Sequence, residues 1–358
     1  MNRPEWLLDS GGDHERYWFR TPMGLEAEAA AEIGAVLPVE RSVQTHRNVF
    51  VRLKAGADLD HRELVRKIRL VDDVYAFWGG CRGMDRSKDS VQSIIPFLEA
   101  VLDRNLAGDH SGGYIRPTVS FVGKRNFNRF YVEEIIGRQI TRHSGLQVLN
   151  NENKDGKVDG ELRLRCHIED DTAFFGLGLW DTPLHRRPWR NIRYDGQLHT
   201  TVAAAMARAL APPPGSHILD PFCGSGTILI ESALRHPECT HEGWDISEEA
   251  LSIALKSSEQ AGVNIELHSE NSLRQLPEKT GYYLLSNPPW DEKHQISEGN
   301  IAGFVAGLEQ WLRHSSVSVL LLPTELRELL EEKLERKSER IATTRIRGKL
   351  AEIIRFRY

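Results

Sequence analysis

The chain has 358 residues, 40% of them apolar, with 46 Lys and Arg against 51 Asp and Glu and a formal net charge of -5. That length predicts two or three domains with ordinary hydrophobic cores, and the acidic balance excludes a uniformly basic nucleic-acid binder. No run approaches the ~20 apolar residues of a membrane span, and the opening MNRPEWLLDS lacks the apolar stretch of a signal peptide, so no membrane partner is expected. Cys81, Cys166, Cys223 and Cys239 lie far apart, with neither a CxxC pair nor HExxH. Neither a metal site nor a disulfide framework is expected, and reducing, cytoplasmic surroundings fit best.

In chain order, residues 17–20 (YWFR) read as a strand, 24–33 as a helix, 48–53 (NVFVRL) as a strand, 60–70 as a helix and 74–78 as a strand. This βαββαβ-like order predicts a small ferredoxin-like domain ending near Cys81. A helix at 90–103, a strand at 118–122, a helix at 132–143 and strands at 162–168 and 172–179 follow, with the polar stretch 150–160 (NNENKDGKVDG) expected as an exposed loop.

Local charge departs from the total. Between 114 and 142 lie Arg116, Lys124, Arg125, Arg129, Arg138 and Arg142 against Glu133 and Glu134, with Phe127, Phe130 and Tyr131 among them. Residues 184–194 (LHRRPWRNIRY) hold Arg186, Arg187, Arg190 and Arg193 with no acid, together with Trp189 and Tyr194. Basic residues interleaved with aromatics can form a single-strand nucleic-acid surface. The plainer reading is a solvated charged face with partly buried aromatics.

A helix at 196–210 precedes the strand 216–219 (SHIL), the Gly-rich turn DPFCGSGT from Asp220 to Thr227, and an apolar-faced helix at 228–234. Gly224 and Gly226 let a ligand lie against the backbone, and the free N–H groups of the helix start face it. Without a Gly-Lys-Ser/Thr ending the turn is no P-loop, and Leu229 stands where a dinucleotide fingerprint has its third glycine. The next strand, 240–246, ends on Asp245, whose carboxylate can accept both hydroxyls of a ribose or cap the helix that follows.

The strand 282–285 (YYLL) empties into Asn287, Pro288, Pro289 and Trp290. Two prolines fix φ and donate no hydrogen bond, so the Pro288 carbonyl is presented from a stiff loop beside the Asn287 side-chain oxygen. Two acceptors suit the two protons of an exocyclic amine, and Trp290 offers a face on which a base can stack, worth about 1–3 kcal/mol. Such an amine attacks an electrophilic methyl once oriented, without acid, metal or covalent nucleophile. Helices at 301–311 and 323–334 and strands at 317–322 and 351–356 complete the chain, the last expected as an antiparallel edge strand.

DPFCGSGT, Asp245 and NPPW resemble the class I S-adenosylmethionine-dependent methyltransferases that modify base amino groups. The upstream part resembles the THUMP-containing RNA methyltransferase family, whose members include tRNA guanine-N2 methyltransferases. The resemblance implies an α/β fold: a C-terminal Rossmann-like seven-stranded methyltransferase sheet with an N-terminal α+β ferredoxin-like plus THUMP-like RNA-binding region. The implied domains are 1–82 (ferredoxin-like), 83–180 (THUMP-like), a basic linker 181–195 and a methyltransferase domain 196–358.

By the same resemblance Asp220, Gly224 and Gly226 hold the methionine part of S-adenosylmethionine, Asp245 its ribose, and Glu270 or Asn271 its adenine, with Phe222, Thr227 and Ile246 also expected to bind the cofactor. Asn287 borders the cofactor, and Asn287, Pro288 and Trp290 hold the target base. Lys124, Arg125, Arg129, Arg186, Arg187, Arg190 and Arg193 are the expected RNA contacts. The third strand (265–271, IELHSEN) lacks the family's usual Asp, and Trp290 stands where Tyr or Phe is commoner. The expected activity is methyl transfer to an exocyclic amine, guanine N2 in tRNA foremost. The alternatives are a DNA adenine-N6 or cytosine-N4 methyltransferase, a non-catalytic RNA-binding protein and a nicotinamide-dependent oxidoreductase.

Overall fold

A computed structural model of the chain describes residues 3–9, 15–57, 61–106, 113–149, 158–276, 280–290 and 301–357, with the side chains of 61–63 excepted. Most of the loop expected at 150–160 lies outside these residues. Two compact units emerge, one of Met1–Arg20, Ala30–Lys67 and Asp72–Pro183, the other of Thr21–Ala29, Ile68–Val71 and Leu184–Tyr358. Among the described residues no helix is long and apolar enough to cross a membrane.

In the first unit, β1 (Arg16–Arg20), β2 (Val39–Thr45), β3 (Asn48–Leu53), β4 (Asp73–Arg82), β5 (Tyr114–Phe121), β6 (Gln147–Val148), β7 (Leu162–Glu169) and β8 (Thr172–Gly178) form one sheet in the order β2-β3-β1-β4-β8-β7-β5-β6. The division expected at 82/83 is therefore no break in the sheet, because β4 pairs antiparallel with β8. β2, absent from the sequence reading, is a polar edge strand (VERSVQT) whose unburied side chains give no core signal.

Trp18 of β1 sits opposite Phe50 of β3 and Tyr75 of β4, and with Phe77 and Phe174 it makes an aromatic core. Ring separations of 5.5 Å for Trp18–Phe50 and 4.8 Å for Phe50–Phe174 lie in the favourable range for such pairs. A second core joins α3 (Ile95–Asn105) and α4 (Arg129–Ser144) to β5, β7 and β8 through Leu98, Val101, Ile136, Ile140, Leu164 and Phe175. The Asn128 side chain caps α4 by accepting from the Tyr131 N–H, and Gly145 (φ 65°) ends it.

In the second unit, β9 (His217–Asp220), β10 (Thr240–Asp245), β11 (Glu266–Ser269), β12 (Tyr282–Ser286), β13 (Ser315–Leu322), β14 (Glu339–Ile346) and β15 (Lys349–Arg357) form a sheet in the order β11-β10-β9-β12-β13-β15-β14. Strands β9 to β13 pair parallel, and β15 and β14 antiparallel. The helices are α5 (Thr200–Leu210), α6 (Thr227–Arg235), α7 (Glu248–Ala261), α8 (Ile301–Arg313) and α9 (Thr324–Leu334). On one sheet face Leu320, Leu322, Ile354 and Phe356 pack with Leu308, Trp311 and Leu330 of α8 and α9. This is the Rossmann-like seven-stranded arrangement that the resemblance implied.

Two details differ from the sequence reading. The final strand is not the edge: β14, another polar strand (ERIATTRI), pairs outside it. The helix expected from 196 begins at Thr200, leaving 196–199 as backbone that faces the cavity described below. The unit also takes in residues from early in the chain. Gly24 (φ +82°) lies so close to the Thr343 carbonyl that a Cβ there would collide with it, and Arg208 donates to the Glu28 carbonyl at 2.5 Å.

Candidate functional site

The order β10-β9-β12 places the reversal of the sheet between β9 and β12, and a crevice opens beyond the carboxyl ends of such strands. Here it is a cavity of about 580 Å³, lined by the Gly-rich turn, Asp245, Glu270, the Asn287–Trp290 loop, the segment 194–199 and the β14–β15 turn. That volume suits a small ligand with a few converging polar groups.

Beneath it, Asp220 is 1% exposed. Its Oδ1 accepts from the Phe222 N–H at 3.0 Å and the Ser286 hydroxyl at 2.6 Å, while Oδ2 has no hydrogen-bond partner. Burial is the leading cause that pushes its carboxyl up to about 7, against the two hydrogen bonds that favour the charged form. Asp220 is not among the lining residues, so it braces the turn from behind. Ser286, which the sequence reading passed over, ties the end of β12 to the end of β9 through this bond.

Gly224 (φ +51°) lines the cavity, and a Cβ there would meet nothing within 4 Å except open space. Gly226 (φ +76°) does not line it, and a Cβ would fall 2.9 Å from that of Ala254. Its expected contact with a ligand gives way to a packing role, the close approach of α6 to α7. Phe222 and Thr227 line the cavity, and Thr227 Oγ1 is a buried oxygen without a hydrogen-bond partner.

The Asp245 carboxylate accepts from the Gly224 N–H and the Ser247 N–H, each at 2.9 Å. The cap of α7 is Ser247, which accepts from the Ala250 N–H, so the plainer reading of Asp245 as the cap residue is set aside. A carboxylate has about four lone-pair sites, and two here remain for a ligand. Ile246 is 74% exposed beside it, an unusual position for a large apolar side chain unless something covers it. Glu270 and Asn271 both line the cavity, but Asn271 Oδ1 accepts from the Leu273 N–H at 3.0 Å and so shapes its own turn.

In the NPPW loop, Asn287 Oδ1 accepts from the Trp290 indole N–H at 3.0 Å, and the Trp290 and Phe222 side chains lean on the core beneath α8. Asn287, Pro288 and Trp290 all line the cavity.

The expected RNA contacts separate by environment. Lys124 and Arg129 are exposed in the first unit, and Arg129 lies 4.7 Å over the Phe130 ring. Arg125 is half-buried, donating to the carbonyls of Asp85 (2.8 Å) and Asp170 (2.7 Å). Arg186 and Arg193 are exposed in the second unit, whereas Arg190 is half-buried against the Gln197 oxygen at 3.3 Å. Arg187 is corrected outright: it is 6% exposed and donates to Glu231 Oε1 (2.9 Å) and to the carbonyls of Leu184 and Arg69 (2.8 Å each). Buried Glu231 also takes Arg69 at 2.7 Å, so the local excess of arginine there serves an internal acid.

Sequence reasoning did not single out Asp195 or the Arg345–Arg347 segment, which line the cavity from far along the chain. An acidic cluster away from the cavity joins Glu242 to His217 (2.9 Å) and His268 (3.5 Å), and His268 to Glu266 (3.3 Å).

Residues 187–350 match the family UPF0020, described as an RMKL-like methyltransferase domain. The chain is 32% identical over 164 residues to the U6 snRNA (guanine-N(2))-methyltransferase THUMPD2 of Bos taurus, covering 45% of this chain and 32% of that protein. It is 28% identical over 182 residues to the ribosomal RNA large subunit methyltransferase K/L of Shewanella loihica, covering 38% of this chain and 26% of the relative. The chain thus spans a third or less of the length of these two curated relatives. The crystal structure of TrmN from Thermus thermophilus superposes with a TM-score of 0.75 at 25% identity, over 96% of this chain and 99% of that one. A methyltransferase-like protein, SMU.472, solved with SAH, shares the fold at a TM-score of 0.74 and 15% identity.

Proposed function

We propose that this chain, whose residues 187–350 match the RMKL-like methyltransferase domain family, is an S-adenosylmethionine-dependent methyltransferase acting on an exocyclic amine of a base in RNA, guanine N2 foremost. The observation that carries the reading is the meeting, in one cavity at the reversal of the sheet, of a Gly-rich turn, a ribose-type carboxylate and the NPPW loop. The relatives named above as guanine-N2 and ribosomal RNA methyltransferases support it.

The residues present fit the cofactor. Gly224 leaves an open cradle, Thr227 Oγ1 lacks a hydrogen-bond partner, and Asp245 and Glu270 offer carboxylate oxygens to hydroxyl and amine donors. When bound, S-adenosylmethionine supplies an electrophilic methyl group on a sulfonium. Asp245 would hold the ribose hydroxyls, Ile246 the adenine face, and Glu270 the adenine amine. Thr227 and the free N–H groups at the start of α6 would meet the methionine carboxylate.

On the other side, Asn287 Oδ1 and the Pro288 carbonyl would accept the two N2 protons and turn the nitrogen lone pair toward the methyl. Trp290 would stack on the base. Held so, the amine nitrogen would take the methyl group, and its surplus proton would leave to water. Positioning and desolvation supply the acceleration. Residues 83–180, with Lys124 and Arg129 exposed, are the RNA-gripping part in this reading, and in the second unit exposed Arg186 and Arg193 are RNA contacts of their own. We take tRNA as the RNA class.

Incubation with methyl-labelled S-adenosylmethionine and, separately, unmodified tRNA, ribosomal RNA, small nuclear RNA and DNA, followed by nucleoside analysis, tests this. Label in N2-methylguanosine from RNA is expected. Label confined to adenine or cytosine of DNA overturns the substrate, and no label anywhere overturns the activity.

A further inference from the structure

The β14–β15 connection is as short as a hairpin allows. Ile346 of β14 pairs with Lys349 of β15, so only Arg347 and Gly348 make the turn, at φ 49° and 86°. Positive φ at both central positions is the type I′ geometry, whose first place ordinarily goes to Asn, Asp or Gly. An arginine there carries left-handed strain of about 1–2 kcal/mol. Arg345 stiffens the same turn by donating to the Gly348 carbonyl at 2.7 Å. The tip RIRGKL holds three cations in six residues.

This turn reaches the same cavity as the NPPW loop, through Arg345, Ile346 and Arg347. The charged lining carries both signs. Asp245 ends β10 and Glu270 follows β11, in one half of the sheet, and Asp195 precedes α5. Among the described lining residues the Lys and Arg members are Arg345 and Arg347, from the half that also carries Asn287 after β12. Asp245 and Glu270 suit the hydroxyl and amine donors of the cofactor, and the two arginines bring positive charge to the base side. A base taken out of a chain and laid on Trp290 brings a backbone phosphate with it, and guanidinium groups match phosphate oxygens bidentately.

We propose that Arg345 and Arg347 grip the RNA backbone phosphate next to the target nucleotide and so position its base against Asn287. The inference rests on the base-methylation reading above. Both side chains are exposed, so the grip forms with little desolvation and is screened by salt.

The test uses the full chain with Arg345→Ala, Arg347→Ala and the double variant. Methyl transfer to the RNA that the wild type accepts is followed across a salt series, and S-adenosylmethionine affinity is read by calorimetry. The double variant is expected to raise KM for RNA about tenfold, keep kcat within about twofold, and flatten the slope of log KM against log salt by about one for each phosphate that is no longer neutralised. Arg345→Lys should recover part of the KM, as a point charge without the fork. An unchanged KM and slope overturns the proposal, and so does a loss of cofactor affinity, which would hand the arginines to the methionine carboxylate. If the wild type methylates no RNA, the base-methylation reading fails on its own. RNA binding by anisotropy then decides the grip: weaker binding by the variants upholds it, and equal affinity overturns it.

Discussion

Trp290 donates its indole N–H to the Asn287 side-chain oxygen across 3.0 Å, so the two groups assigned to the target base are tied to each other before any base arrives. The bond fixes the carboxamide, and the second lone pair of the oxygen stays available for an incoming amine proton. Asn287→Ala is expected to lower kcat about 10²- to 10³-fold, the scale for losing one preorganised polar group. Cofactor affinity, read by calorimetry, should change less than about threefold, because the ribose and methionine contacts lie elsewhere. Trp290→Phe keeps a stacking face but frees Asn287, and should lose less activity than Trp290→Ala. Wild-type turnover in Asn287→Ala would remove that residue from the chemistry.

Asp220 gives a pH prediction. Its folded carboxyl is raised to about 7 from 3.8, chiefly by burial, so its contribution to stability is full below pH 4 and is lost as pH rises through 7. Asp220→Asn keeps Oδ1 as acceptor for Phe222 and Ser286 while removing the charge. The variant should therefore exceed the wild type in stability at pH 8 by ~2–4 kcal/mol, with the difference shrinking toward zero near pH 4. Urea unfolding at pH 4.5 and pH 8 measures it, and a constant difference would refute the assignment.

The two glycines of the turn should respond differently to alanine. Gly226→Ala combines left-handed φ with a 2.9 Å clash against buried Ala254, and should cost about 2–4 kcal/mol of stability. Gly224→Ala has open space and should cost only about 1–2 kcal/mol, while weakening cofactor binding by entering the cradle. Thermal denaturation with and without cofactor separates the two.

Arg187→Ala should destabilise the protein by about 2–4 kcal/mol, since it takes one arginine away from buried Glu231, which Arg69 also pairs. The salt slope of RNA binding should not move, in contrast to Arg186→Ala or Arg193→Ala. A flattened slope in Arg187→Ala with unchanged unfolding would return this residue to the RNA surface.

The contiguous parts of the cavity could be read from residue order. DPFCGSGT joins a strand end, a tight turn and a helix start within eight residues, and NPPW is stiff by covalent geometry, so neighbouring residues alone dictate these shapes. The parallel strands β9, β12 and β13 were visible as short apolar runs for the same reason: burial on both faces is written into adjacent positions.

Polar edge strands β2 and β14 left no such mark, because pairing with a neighbour, and not burial, makes them strands. Whether an arginine of the run LHRRPWRNIRY faces solvent or a buried acid depends on Glu231, 44 residues away. The bond from Ser286 to Asp220 spans 66 residues, and Arg345 and Arg347 reach the cavity only through the register of β14 on β15. Local order carries backbone shape and periodic burial; which distant side chains share a space is decided by sheet order and strand register, and these exist only once the chain has folded.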